Sequence, residues 1–72
     1  MPRLPVLSGR EIVNILHAEG FSTVGQRGSH MRLKKNSQIV IVPMHDEIPV
    51  GTLKSIIRQS ALSESVFRNR KI

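Results

Sequence analysis

The sequence predicts an α+β fold in the order α-β-β-β-α, with a three-stranded antiparallel sheet covered by helices on one face. Three observations predict it. Ser8-Gly9-Arg10-Glu11 is a capping-box sequence, and the residues after it are apolar at helical spacing. Ser29 to Lys34 alternates polar with apolar, and Ile39-Val40-Ile41-Val42 is β-branched throughout. Leu53, Ile56, Ile57 and Ser60 then return to a helical period.

The elements follow in order. Residues 1–7 read as an irregular lead-in, because Pro2 and Pro5 resist regular structure. Ser8 caps the first helix and Glu11 completes the box. Ile12, Val13, Ile15 and Leu16 form its buried side; Arg10, Asn14 and His17 form its wet side. Gly20 ends it, since glycine accepts the left-handed conformation that follows a last turn. Phe21 to Gln26 predicts a first strand, weakened by Gly25, and Arg27-Gly28 predicts a turn. Ser29 to Lys34 is the second strand, and Lys35-Asn36-Ser37-Gln38 a hairpin connection. The β-branched third strand is expected to be central or covered on both faces, with Pro43 closing it. A polar loop containing His45-Asp46-Glu47 leads to the second helix. Ser63 to Phe67 starts a short third helix, and Arg68-Asn69-Arg70-Lys71 forms a basic tail.

At 72 residues the chain is expected to be a single domain spanning 1–72. A domain of this size buries roughly 60% of the surface its unfolded chain exposes. There is no cysteine to reinforce it, which fits a reducing compartment. No apolar run approaches a membrane span, and the N-terminus does not read as a secretion signal, so a cytoplasmic location is expected. Eleven Lys and Arg against five acids give a net charge of +6. That excess predicts an anionic partner: nucleic acid, an anionic surface or an acidic protein. Two Phe and no Tyr or Trp leave little material for stacking bases, so recognition through shape, phosphate and 2′-hydroxyl is expected.

Several chemistries are excluded. His17, His30 and His45 lack the spacing and the cysteine partners of a zinc site. No serine sits in a nucleophile elbow, and no nucleotide-binding glycine fingerprint is present. No metal or cofactor is therefore expected. One reaction needs neither. RNA carries its own nucleophile, the 2′-hydroxyl, and requires only a base to take its proton. On a strand, His30, Arg32 and Lys34 share the wet face while Met31 and Leu33 point inward. An imidazole is suited to the base role. Arg27, Arg32 and Lys34 would stabilise charge on a phosphorane. From the residues alone, a solvated strand histidine is the simpler reading of His30, with the proton acceptor as the alternative. His45 reads as part of a polar connection, or as a second acid–base group or phosphate contact. Lys54 and Arg58, four apart, form a solvated helix flank or an RNA-backbone contact.

Four segments together resemble a known family. They are Ser8-Gly9-Arg10-Glu11-Ile12-Val13 through Gly20-Phe21, Gly28-Ser29-His30, Val42-Pro43-Met44-His45, and Gly51-Thr52-Leu53-Lys54-Ser55-Ile56-Ile57-Arg58-Gln59. In this order and spacing they resemble HicA-type toxins, the YcfA-like family. The resemblance covers nearly the whole chain. It implies a double-stranded-RNA-binding-domain-like fold and ribosome-independent cleavage of mRNA, with His30 catalytic. It implies inhibition by a HicB-type antitoxin that covers the active face, with the toxin monomeric when free. Gly28 and Ser29 join Arg27, Arg32, Lys34, His45, Lys54 and Arg58 as expected RNA contacts. The alternative function is a non-catalytic RNA-binding module of the same fold. A protein-interaction domain leaves the basic face unexplained.

Overall fold

A computed structural model describes residues 3–68. The elements are α1 (Gly9–Ala18), β1 (Ser22–Arg27), β2 (His30–Lys35), β3 (Gln38–Pro43), α2 (Val50–Ser60) and α3 (Glu64–Arg68). The strands form one antiparallel sheet in the order β1-β2-β3, so the α-β-β-β-α arrangement and the double-stranded-RNA-binding-like α+β fold are both present.

Helix α1 starts where the capping box places it. Ser8 Oγ accepts from the Glu11 amide at 3.1 Å, and the Glu11 carboxylate accepts from the Ser8 amide at 2.9 Å. Two otherwise orphaned donors are satisfied reciprocally. At the other end Gly20 has φ +98°, in the left-handed region. Lys35 Nζ donates to the Glu19 carbonyl at 2.7 Å, which sets a cation against the negative end of the helix.

The core lies between the helices and one face of the sheet. Ile12, Leu16, Leu33, Val40, Val42, Leu53, Ile56 and Phe67 are all essentially inaccessible to solvent. Beta-strand pleating explains the division in β2 and β3: Leu33 and Met31 turn inward, whereas His30, Arg32 and Lys34 turn out.

The structure corrects two expectations. Strand β3 is not covered on both faces. It is an edge strand with alternating burial, Val40 and Val42 at 0% exposure against 42% for Ile39 and 37% for Ile41. Its β-branched run reports strand propensity, which holds on either face. Gln59 on α2 covers part of that edge, its side-chain oxygen accepting from the Ile41 amide at 3.3 Å. Phe21 lies just ahead of β1 and fills the core instead of extending the strand. The lead-in is irregular over its described residues; within it Leu7 is buried in the core, and its carbonyl accepts from the Ile48 amide at 2.8 Å. Two segments without regular structure thus pair and satisfy each other's backbone. The short third helix is present and buries Phe67. Arg68 ends it in an ion pair with Glu64; the rest of the expected basic tail lies outside the described residues.

Candidate functional site

The site is built on the β1–β2 hairpin. Arg27 closes β1 and pairs directly with His30, which opens β2. Gly28 turns the chain with φ +58°, a conformation most side chains resist, and Gln26 Nε2 donates to its carbonyl at 3.1 Å. His30 also pairs with Pro43 on β3. Residues directly opposite in antiparallel strands share a face. The open face therefore carries a row Arg27–His30–Pro43, then Gly25–Arg32–Ile41, then Ser22–Lys34–Ile39.

A bulge makes this alignment possible. The register shifts between Thr23 and Gly25, leaving Val24 as the extra residue. Thr23 consequently faces the helix side, where its hydroxyl meets His17 Nε2 at 2.8 Å, while Gly25 faces outward beside Arg32.

The three strands contain four Lys or Arg and no Asp or Glu. His30, Arg27, Arg32 and Lys34 are all exposed. Among the described residues the exposed His30 imidazole has no hydrogen-bond partner. A concavity of about 550 Å³ lies here, lined by Gly25, Gln26, Arg27, His30, Arg32 and Ile41. Its volume falls in the range of about 300–1,000 Å³ usual for sites that hold a small ligand or one unit of a larger one.

The remaining expected contacts separate into two groups. Gly28 and Ser29 form the turn beside His30. Ser29 accepts from the Met44 amide at 2.6 Å, and the His45 carbonyl accepts from the Gly9 amide at 2.8 Å. These bonds hold His45 at the same end of the sheet as His30, with its side chain exposed, though it does not line the concavity. Lys54 and Arg58 are exposed on α2, and they do not line it either. At about 100° per residue they stand about 140° and 100° around the helix from Gln59, the side chain that reaches the β3 edge. Lys34 is on the open face one row beyond the concavity.

Gly25, Gln26 and Ile41 line the concavity although none was expected to. Ile41 was masked by the apolar run around it, and strict alternation with Val40 and Val42 is the signal that identifies it. Among the described residues no three His, Cys, Asp or Glu side chains come together in a metal-holding group, and no helix is long and apolar enough to cross a membrane.

An open, acid-free, cationic sheet face with a histidine at its hairpin end defines a small α+β domain that presents a positive surface. Its family follows from comparison with family models. The model described as the HicA toxin of bacterial toxin–antitoxin systems matches residues 9–62, which is 54 of the 72 residues. The chain belongs to the HicA toxin family. Family membership implies an antitoxin partner. Comparison with curated proteins found no match.

Proposed function

We propose that this protein is a metal-independent endoribonuclease that cleaves mRNA, with His30 as general base. The observation that carries the reading is the row Arg27–His30 beside Arg32 on an open strand face without acids. His30 removes the proton from a ribose 2′-hydroxyl. The 2′-oxygen attacks the adjacent phosphorus, and the bond from phosphorus to the 5′-oxygen breaks. The products are a 2′,3′-cyclic phosphate and a 5′-hydroxyl, whose proton comes from water or from an acid; His45 is the candidate acid. Arg27 and Arg32 hold the phosphate and stabilise charge on the phosphorane. Lys34, Gly28 and Ser29 extend the contact along the strand and turn, and Lys54 and Arg58 give outlying backbone contacts. A HicB-type antitoxin neutralises the toxin by laying carboxylates on this same face, so the free monomer becomes part of a hetero-oligomer.

A single positioned base contributes about 10²–10⁴-fold. His30→Ala should therefore reduce cleavage of a defined mRNA by that factor in the presence of EDTA. The fold should be unchanged, since His30 is exposed. End mapping should show cyclic phosphates with the parent protein, and with the variant only in amounts lowered by that factor. Cleavage by His30→Ala at the parental rate refutes the assignment. A folded parent that binds RNA in a salt-sensitive way without cutting it identifies a binding module instead.

A further inference from the structure

We propose that Gly25 keeps a seat open for the RNA strand on the sheet face, so that the size of residue 25 governs whether substrate reaches His30. The proposal rests on the nuclease reading above.

Neither a left-handed φ nor close packing among the described residues requires glycine at this position. Gly20 and Gly28 occupy the left-handed region at φ +98° and +58°. Gly9 is pressed against the backbone of Pro43 and Met44. Gly25 is under neither constraint: its φ lies outside the left-handed region, and a Cβ built on it meets no atom within 4 Å. Inside a strand glycine is a poor choice, because it costs backbone entropy and contributes no packing. A glycine inside a strand marks a bulge or a close approach; Gly25 follows the bulged Val24 and also lines the concavity, so both readings meet at this position.

The register shows where. Gly25 is directly opposite Arg32, and Ile41 is opposite Arg32 on its other side. All three line the concavity with His30. Directly paired residues have Cβ atoms about 4.5–5.5 Å apart. A branched side chain at 25 would therefore stand beside the stem of Arg32 and narrow the concavity at that point. With glycine there, the floor is backbone, walled by Arg27 and Arg32 for phosphate and by the exposed side chain of Ile41 for an apolar ribose or base face. The bulge at Val24 brings Gly25 onto the outer face at all. Sequence context, bulge and open volume thus converge on one position.

The test is a size series, Gly25→Ala and Gly25→Val, with Gly51→Ala as control. Gly51 is the other described glycine with open space and no left-handed φ, and it lies on α2 away from the concavity. Cleavage rate at subsaturating RNA, RNA affinity and Tm are measured for each. The expected result is a graded loss, at least tenfold in cleavage for Gly25→Val. Its Tm should equal or exceed that of the parent, because valine favours strands. Gly51→Ala should keep parental cleavage. Parental cleavage by Gly25→Val overturns the proposal and leaves the nuclease reading standing. Loss of cleavage together with a lower Tm shows that the glycine is structural and also overturns it. A folded parent that does not cut RNA removes the nuclease reading, and this proposal with it.

Discussion

Replacing Gly9 with alanine sets local propensity against tertiary contact, and the two predict opposite signs. Gly9 is the first residue of α1, and in a helix interior Gly→Ala gains about 1 kcal/mol. Here, however, an added Cβ would collide with the Pro43 carbonyl oxygen and stand 2.8 Å from Met44 Cα. Both are backbone atoms and cannot rotate aside. Relief requires α1 to move away from the loop after β3, which stretches the 2.8 Å bond from the Gly9 amide to the His45 carbonyl. Overpacking costs about 1–3 kcal/mol, and the weakened hydrogen bond about 0.5–1.5 kcal/mol. After subtracting the propensity gain, the net destabilisation is about 0.5–3.5 kcal/mol. In a domain of this size each 1 kcal/mol lowers Tm by about 4–8 °C. Urea and thermal unfolding followed by circular dichroism should therefore show a lower midpoint, with Tm reduced by about 2–28 °C. A Gly9→Ala variant at or above parental stability would falsify the close approach of helix and loop.

Two further perturbations test the helix start and the core. Ser8→Ala removes the acceptor for the Glu11 amide and should cost about 1 kcal/mol, read as a shift of the urea midpoint at constant slope. An unchanged midpoint would mean that the capping box contributes nothing. Leu33→Ala empties a fully buried position between sheet and helices and should cost about 2–5 kcal/mol. That is a large share of the stability available to so small a domain. A loss below 1 kcal/mol would show that the helices collapse into the space.

Most of the element order was legible because the signals are short-range. The capping box, the terminating Gly20 and the alternation of Met31 and Leu33 with His30, Arg32 and Lys34 each act within a few residues. The cationic face was legible for the same reason: strand period alone puts His30, Arg32 and Lys34 on one side. The β3 reading failed because a run of Ile and Val looks alike whether one face is buried or both. Only the strand pleat, with helices covering one face of the sheet, separates Ile41 from Val40. Gly25 looked like a weakness in β1 because its neighbour Arg32 and the bulge at Val24 exist only across the hairpin.

The sequence by itself determined where helices and strands form, which side chains turn inward, and that a histidine shares a face with cations. Caps, glycines and hydrophobic periods are local, so neighbouring residues suffice to specify them. The tertiary structure alone decided which of the expected contacts meet. It joined Arg27, His30 and Arg32 around one concavity, set Lys54 and Arg58 apart on α2, and buried Leu7 against Ile48. Those outcomes depend on strand register and on backbone hydrogen bonds between segments far apart in the chain. Register is fixed by the sum of pairings across the whole sheet, a quantity no short stretch of sequence contains.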